Sequence, residues 1–390
     1  MNKVLELPIS ELAGYSFDCE CGRRHEVAIK KISVGSGVFD DIIEILKDSG
    51  AKQVCLIADG NTMEVAGKRA QALLEAAGIP FHSILFPGHE WVVPNEQAIG
   101  RILAGLEPED ELILTVGSGT LNDLSRLIST RTGIPYMIAA TAPSMDGYAS
   151  VVSPVILDGH KITLPGVYPM AIVADISIMK NAPDEMMTSG YGDIIGKFTA
   201  EADWRLSHLV NGDLYCETCA ALVRQAVQKC ADNGAKLRER DDKAVEYVTE
   251  ALILSGLAIG LFGDSRPASG VEHHFAHYWE VDALNKGQKH ALHGNYVSVG
   301  AVVSAHIYEL AAPYLPEGFT APTKDHILSV LTSAGAPTRP QDVNVDKELF
   351  HRSVLHAMEI RERYTILRYC SEKGLLEGFA DTLTEAYFPD

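Results

Sequence analysis

The hydrophobic pattern of the chain changes once, and that change constrains its fold more than any other feature. Up to about residue 180, short apolar runs alternate with segments of helical periodicity, whereas helical periodicity alone continues after about residue 183. Short runs rich in Val, Ile and Leu that alternate with helices indicate a parallel sheet covered on both faces. We therefore predict an α/β domain over residues 1–183 and an all-α domain over residues 184–390.

The predicted elements follow this division. Strands are expected at residues 53–58, 81–86, 112–116, 136–140 and 171–177, with helices between them that include 61–77 and 95–106. In the second domain, helices are expected at residues 184–210, 217–232, 242–261, 273–285, 296–310, 323–333 and 347–372.

Charge and hydropathy exclude several classes of partner. The chain carries 52 acidic and 33 basic residues, a formal net charge of −19, so neither nucleic acid nor anionic lipid is an expected partner. A small anionic substrate would need a locally basic pocket.

The first residues contain no uninterrupted apolar core, and the longest uncharged apolar run, residues 251–263, is too short to span a bilayer. We expect a buried helix there, no membrane span and a cytoplasmic protein.

The cysteines do not indicate a disulfide framework, because there are seven and they are scattered. Cys19, Cys21 and His25 are close enough along the chain to hold a metal, but they make an incomplete tetrahedral set, and a hairpin turn is the preferred interpretation. Cys216 and Cys219 form a CxxC pair in a predicted helix. A redox role would require the first cysteine at an activated helix N-terminus, and we do not expect one.

A glycine turn follows the predicted strand 112–116. Gly117, Ser118 and Gly119 precede a predicted helix, and a turn of this kind can bind an anion through free N–H groups and the helix dipole. It lacks the GxGxxG pattern, so a plain tight turn is the alternative. Its place at the carboxyl end of a mid-sheet strand favours ligand binding.

Two further strand ends carry polar residues. A turn of small and hydroxyl residues, 141–147, follows strand 136–140, and Asp59 ends strand 53–58. A carboxylate at that position can accept hydrogen bonds from a ribose diol and would oppose a 2′-phosphate. Alternatively, Asp59 caps the helix that follows it.

The helical half contains a pattern typical of metal ligands. His273 and His277 lie four residues apart, so they share one face of a helix, while His293 precedes a glycine and Asp193 stands in the segment SGYGDIIGK. A carboxylate and two imidazoles with an open position form the ligand set of a catalytic divalent metal, and one histidine would remain for proton transfer. Chance spacing and ordinary buried histidines are the alternative, and His274 and His290 are the expected bystanders.

Five segments carry a resemblance to a known family. They are GSGTLNDLSR (117–126), TAPSMDGYAS (141–150), GYGDIIGKFTAEADW (190–204), SRPASGVEHHFAH (265–277) and ALHG (291–294). Together and in this order they resemble the iron-containing alcohol dehydrogenase and dehydroquinate synthase superfamily, and most of all the bacterial sn-glycerol-1-phosphate dehydrogenases. The resemblance implies an N-terminal dinucleotide-binding domain, a C-terminal metal-binding domain of helices, and an active site in the cleft between them.

The resemblance also implies roles for individual residues. Those that match dinucleotide contacts are Asp59, Gly117, Ser118, Gly119, Thr120, Leu121, Thr141, Ala142, Pro143, Ser144 and Ser150. The matching metal ligands are Asp193, His273 and His293, for zinc, nickel or iron. Asp146 and His277 match residues that contact substrate and act in catalysis, and Asp193 also borders the substrate.

The reaction implied is the reversible reduction of dihydroxyacetone phosphate to sn-glycerol 1-phosphate by NADH or NADPH in a homodimer or larger homo-oligomer. The metal would polarise the carbonyl oxygen, with His277 and Asp146 orienting hydroxyls and relaying a proton. Candidate cations for the substrate phosphate are Arg266, Lys161 and Lys197.

Two departures from the family pattern bear on the alternatives. Ser118 replaces a frequent glycine, which is a mild change, and Asn295 stands where dehydroquinate synthases carry an acidic residue. The second departure argues against a dehydroquinate synthase-like lyase. An alcohol or polyol dehydrogenase that acts on an unphosphorylated substrate remains the other alternative.

Overall fold

A computed structural model describes residues 3–389 and places a parallel sheet in the N-terminal half. Its six strands lie in the order β3-β10-β7-β6-β4-β5, and every neighbouring pair is parallel. Two separate antiparallel hairpins accompany the sheet, β1–β2 and β8–β9. The strands are β1 Ser16–Asp18, β2 Arg24–Glu26, β3 Lys31–Gly35, β4 Val54–Asp59, β5 Phe81–Phe86, β6 Leu112–Gly117, β7 Tyr136–Ala140, β8 Val152–Leu157, β9 His160–Pro165 and β10 Ala171–Asp175.

The central strands are apolar on both faces because both faces are covered. In β4, Leu56 packs into the cluster on one face of the sheet, while Cys55 and Ile57 pack into the cluster on the other face. Successive side chains of a strand point to opposite faces, so a strand buried on both must be apolar throughout. The helices of this half are α1 Asp41–Ser49, α2 Gly60–Thr62, α3 Lys68–Ala77, α4 Glu96–Gly105, α5 Gly119–Thr132 and α6 Ile176–Met179, with a π-helical turn Met63–Gly67 that joins α2 to α3.

Helices make up the rest of the chain. One of them, α11 (Asp242–Phe262), is long and apolar enough to cross a membrane, since its most apolar stretch has a mean hydropathy of 1.6. However, 67% of that stretch is buried inside the protein. It is therefore a core helix here, as residues 251–263 predict. The helices are α7 Asp184–Ile195, α8 Lys197–Asn211, α9 Glu217–Ala231, α10 Gly234–Arg238, α11 Asp242–Phe262, α12 Val271–Asn285, α13 His293–Ala311, α14 Lys324–Ser333, α15 Lys347–His356, α16 Ile366–Glu372 and α17 Leu376–Tyr387.

The predicted fold class, a parallel α/β sheet followed by helices, is confirmed, but several boundaries differ. The predicted helix 184–210 is interrupted at Gly196, and the predicted helix 347–372 is interrupted between α15 and α16. The last strand ends at Asp175, because the Asp175 side chain accepts a hydrogen bond from the Ser177 N–H (2.9 Å) and starts α6. Edge strand β3 was not predicted, since its sequence KISVG has little apolar regularity.

The strand order creates one switch point. From β4 the chain passes to β5 on one side, whereas from β6 it passes to β7 on the other side. The carboxyl ends of the adjacent strands β4 and β6 therefore border a crevice, which is where open α/β sheets bind ligands.

The N-terminal hairpin packs on the helical half and not only on the sheet. Arg23 donates a hydrogen bond from Nη1 to the Phe262 carbonyl (2.7 Å), and His25 Nδ1 lies 2.6 Å from the Leu261 carbonyl oxygen, both at the end of α11. The division of the chain into two domains at residue 183 stays a prediction.

Candidate active site

Three side chains from α7, α12 and the start of α13 converge on one point. Asp193, His273 and His293 each offer a ligand atom, and these atoms all lie within 4.8 Å of one another. Asp193 Oδ1 is 3.5 Å from His273 Nε2, and the rings of His273 and His293 are 5.2 Å apart between centroids. Asp193 and His273 are buried, while His293 is half-buried. The structure thus brings together the three residues that the resemblance implies as metal ligands.

Glycines allow these helices to approach so closely. A Cβ at Gly190 would overlap the Pro143 carbonyl, one at Gly192 would lie 2.5 Å from the Gly294 carbonyl oxygen, and one at Gly294 would overlap the Ser189 carbonyl. Since all three obstacles are backbone atoms, no side-chain rotation could relieve them. The glycines of GYGD and ALHG therefore bring Asp193 next to the 141–147 loop and to His293.

A buried carboxylate supports His273 from behind. Glu272 Oε1 lies 2.7 Å from His273 Nδ1 and accepts a hydrogen bond from the Gly270 N–H (2.6 Å), while Thr199 donates to Oε2 (2.8 Å). A carboxylate on Nδ1 fixes the ring so that Nε2 carries the free lone pair toward Asp193. Glu272 and Thr199 were not predicted as site residues from the sequence.

Lys197 connects the proposed ligand Asp193 with Asp146. Its Nζ lies 2.6 Å from Asp193 Oδ1 and 2.9 Å from Asp146 Oδ2, and the Asp146 N–H donates to Asp193 Oδ2 (3.0 Å). Burial tends to raise the pKa of Asp193, but the Lys197 ammonium and His273 outweigh it and hold that pKa well below its usual range. Asp193 is therefore anionic, as a metal ligand must be.

A third histidine, His277, and the carboxylate of Glu280 border the cluster. Glu280 Oε2 is 3.9 Å from both His277 Nδ1 and His293 Nδ1, and Lys161 Nζ is 2.5 Å from the same oxygen. His277, Glu280 and His293 form a second group whose ligand atoms lie within 4.8 Å, so His293 is shared by two possible metal positions. Glu280 was missed, although its place seven residues after His273 and three after His277 puts it on the same helix face.

The two histidines expected to be bystanders lie outside these groups. His274 is buried, and neither ring nitrogen has a hydrogen-bond partner among residues 3–389. Burial, with help from Arg363, lowers its pKa to about 3, so the ring is neutral. His290 Nδ1 is 2.8 Å from the Ala291 carbonyl oxygen.

The residues proposed for the dinucleotide line the carboxyl ends of β4, β6 and β7. Ser118 takes the N-cap position of α5 with an extended backbone (φ −110°, ψ −157°), and its side chain makes no capping hydrogen bond. A Cβ at Gly119 would lie 2.8 Å from Met145 Cε. The Thr141 N–H donates to the Gly117 carbonyl (3.0 Å), which ties the 141–144 turn to the glycine turn. Thr120 and Leu121 continue α5 from there.

Asp59 and Ser150 have structural partners. Asp59 Oδ1 accepts from the Thr62 N–H (2.8 Å), so Asp59 caps α2, the alternative that the sequence left open. Its position at the end of β4 also borders the switch-point crevice. Ser150 Oγ accepts from the Val152 N–H (3.1 Å) at the start of β8.

The three cations suggested for a substrate phosphate are already paired. Lys161 binds Glu280, Lys197 binds two aspartates, and Arg266 binds Asp213 at 2.7 Å. Arg361 differs, because Nη2 hydrogen-bonds His277 Nε2 (2.9 Å) and no carboxylate of residues 3–389 forms an ion pair with it. Burial lowers the pKa of Arg361, and the charge of Asp264 offsets this only in part.

Comparison with known proteins identifies the family. The profile of iron-containing alcohol dehydrogenases matches residues 33–183. The glycerol-1-phosphate dehydrogenase [NAD(P)+] of Halalkalibacterium halodurans is 32% identical over 384 residues, covering 92% of this chain and 96% of that protein. The chain belongs to the glycerol-1-phosphate dehydrogenase family. The resemblance drawn from the five sequence segments is therefore confirmed.

Other members and structures agree with this assignment. A member of the glycerol-1-phosphate dehydrogenase family from Methanosarcina acetivorans is 33% identical over 342 residues, covering 87% of this chain and 90% of its own. Maleylacetate reductase from Agrobacterium tumefaciens superposes with a TM-score of 0.72 at 16% identity, covering 94% of this chain and 99% of its own. A probable glycerol dehydrogenase from Sinorhizobium meliloti superposes with a TM-score of 0.66 at 18% identity, covering 90% of this chain and 97% of its own. These two structures share the fold.

Proposed function

We propose that the chain catalyses the reversible, NAD(P)H-dependent reduction of dihydroxyacetone phosphate to sn-glycerol 1-phosphate. The observation that carries this proposal is the convergence of Asp193, His273 and His293 beside the loop 141–147, in a member of the glycerol-1-phosphate dehydrogenase family. One carboxylate and two imidazoles leave coordination positions open, as a catalytic metal site requires.

The residues present fit a divalent cation. Asp193 is anionic, Glu272 orients His273, and the buried His293 Nδ1 has no hydrogen-bond partner among residues 3–389. Zinc, nickel and iron all accept such a set. When bound, the cation supplies a Lewis acid for the substrate carbonyl.

The surrounding side chains would orient the substrate and the proton. Arg361 donates a hydrogen bond to His277 Nε2, and His277 Nδ1 lies 3.9 Å from Glu280 Oε2, so Nδ1 is the nitrogen that would exchange a proton with a substrate hydroxyl. Asp146 is held by Lys197 and by the Ser255 hydroxyl (2.9 Å), which fixes its carboxylate beside Asp193. Both residues are proposed to act in catalysis and to contact substrate.

The N-terminus of α5 is proposed to bind the cofactor pyrophosphate. Its first N–H groups are not capped by Ser118, and the helix dipole adds a positive field. The proposed contacts are the residues named for the dinucleotide above, from Asp59 to Ser150. A cytoplasmic location and a homodimer or larger assembly are part of the same proposal.

An assay of substrates tests this function. The purified, metal-loaded protein should oxidise NADH with dihydroxyacetone phosphate and give the sn-1 product by chiral analysis. Equal activity on dihydroxyacetone would support an alcohol or polyol dehydrogenase instead. Turnover of a substrate without net NADH consumption would support a lyase.

We propose that Arg361 binds the substrate phosphate, so its substitution should affect the phosphorylated substrate far more than dihydroxyacetone, because glutamine can still donate a hydrogen bond to His277. A hydrogen bond between charged groups contributes about 1.5–3 kcal/mol, so Arg361→Gln should lower kcat/KM for dihydroxyacetone phosphate about 10- to 100-fold. The rate with dihydroxyacetone, however slow, should change little. Arg352→Gln is the control, since Arg352 lies on α15 and pairs with Asp282. An equal loss on both substrates would mean that Arg361 does not bind the phosphate.

Substitution of Asp59 should change the choice between NADH and NADPH. Asp59→Asn keeps the cap of α2, because Asn and Asp are comparable N-caps, so the midpoint of thermal unfolding should not change. It removes a negative charge that would repel a 2′-phosphate, and the ratio of kcat/KM for NADPH over NADH should rise at least about tenfold. An unchanged ratio would remove Asp59 from the ribose site.

A further inference from the structure

Another cluster of metal-binding residue types, separate from the proposed active site, lies where the N-terminal hairpin meets α9. Cys19, Cys21, His25 and Cys216 each offer a ligand atom, and these atoms all lie within 4.8 Å of one another. The first three come from the hairpin β1–β2, whereas Cys216 takes the N-cap position of α9. We propose that these four residues bind a structural Zn²⁺ ion that fastens the hairpin to α9.

The distances suit four-coordinate zinc. Cys19 Sγ is 3.7 Å from Cys216 Sγ, Cys21 Sγ is 3.4 Å from His25 Nε2, and Cys216 Sγ is 3.6 Å from His25 Nε2. With Zn–S near 2.3 Å and Zn–N near 2.0–2.1 Å, the edges of a tetrahedron are about 3.5–3.8 Å. Three of the six distances between ligand atoms therefore already match tetrahedral zinc, and the others lie within 4.8 Å.

The orientation of His25 is already that of a ligand. The ring is buried, and Nδ1 lies 2.6 Å from the Leu261 carbonyl oxygen, so Nδ1 carries the proton and Nε2 presents its lone pair to the thiols. Zinc-bound histidines are held in this way by a carbonyl or carboxylate on the other nitrogen. At the N-terminus of α9, the helix dipole also favours a thiolate at Cys216.

The hairpin turn presents the two cysteines together. The Cys19 N–H donates to the Arg23 carbonyl (2.9 Å), and the Gly22 N–H donates to the Cys19 carbonyl (2.9 Å), with Gly22 at φ +83°. Cys19 and Cys21 are half-buried, so an ion can enter from solvent. Three thiolates and one imidazole fill a tetrahedral set and leave no open position, which is the composition of a structural site and not of a catalytic one.

The structure favours a metal over a disulfide. The Cys19–Cys216 separation of 3.7 Å is far longer than an S–S bond of about 2.05 Å, and all seven cysteines are free. The cluster also contains three cysteines and a histidine in contact with one another, whereas a redox pair of cysteines needs only two.

Metal analysis of two full-length proteins tests the proposal. His273→Ala removes a ligand of the proposed catalytic site, and sulfur neighbours then distinguish zinc in the cysteine cluster from zinc at the His277, Glu280 and His293 group. This protein should retain about one zinc per chain, and X-ray absorption should show three sulfur neighbours at about 2.3 Å and one nitrogen. Adding Cys21→Ser should release that zinc and lower Tm. Cys230→Ala, a buried thiol of α9 outside the cluster, is the control and should keep the zinc.

Any of four results would overturn the proposal. One is zinc without sulfur neighbours in the His273→Ala protein, and another is full zinc retention after Cys21→Ser. A Cys216–Cys219 disulfide in the freshly purified protein would show a redox pair instead. If the Cys21→Ser protein does not fold, the test uses the His273→Ala protein alone, with and without a zinc chelator. A chelator should then make additional thiols reactive, and unchanged thiol reactivity would contradict zinc ligation.

Discussion

The His273→Ala protein should fold, fail to hold a metal at the Asp193 cluster, and lose at least about 1,000-fold in turnover. A Lewis acid contributes several kcal/mol to a transition state that develops alkoxide charge, and about 4 kcal/mol corresponds to 1,000-fold. Only Asp193 and His293 would remain of the three converging residues. The measurement is bound metal per chain together with NADH oxidation at saturating substrate.

The neighbouring His274 provides the matched control for this result. It lies on the same helix and is buried, but its ring nitrogens have no hydrogen-bond partner within the described chain. His274→Leu keeps the volume and leaves no polar group unsatisfied, so metal content and turnover should stay near those of the parent. Undiminished activity of His273→Ala would refute the proposed ligand set, and an equal loss in both variants would point to damage of α12.

Gly294→Ala should be among the most destabilising single changes in the helical half. The new Cβ would overlap the Ser189 carbonyl, so α7 and α13 must move apart, which costs about 3 kcal/mol. Asp193 and His293 lie on these two helices, so metal affinity should fall together with Tm. Thermal denaturation with and without added metal measures both effects.

Gly378→Ala is the control for a glycine in a helix. It lies inside α17, and no heavy atom of residues 3–389 comes within 4 Å of an added Cβ there. Replacing an exposed helical glycine with alanine should raise stability by up to about 1 kcal/mol. If Gly294→Ala behaved like Gly378→Ala, the close approach of α7 and α13 would not be required.

Local patterns of the sequence were enough to predict five of the six strands of the sheet, while the metal ligand set also needed the family resemblance. Strands β5 and β7 appear as predicted because each is a short apolar run bounded by turn residues. The spacing of His273 and His277 on one helix face needed only helical geometry, whereas the close approach of helices at the GYGD and ALHG glycines became visible only in the structure. The break at Gly196 was missed, since apolar spacing continues across it and Gly196 keeps a right-handed helical backbone (φ −54°, ψ −25°).

Residues that act through distant contacts were not predictable in this way. Arg361 reaches His277 across 84 residues, and Cys216 reaches His25 across 191. No periodicity links such pairs, and only the packing of helices brings them together. Glu272 is adjacent to His273 in sequence, but its role depends on the orientation of the imidazole, which sequence does not give.

The contacts of the N-terminal hairpin have a consequence for biosynthesis. Arg23 and His25 meet their partners at Phe262 and Leu261, 239 and 236 residues later in the chain. During translation the hairpin therefore emerges long before the end of α11 exists, and closing so long a loop carries an entropic cost. We expect the hairpin β1–β2 to wait undocked on the ribosome, and to be among the last parts of the molecule to reach its native place.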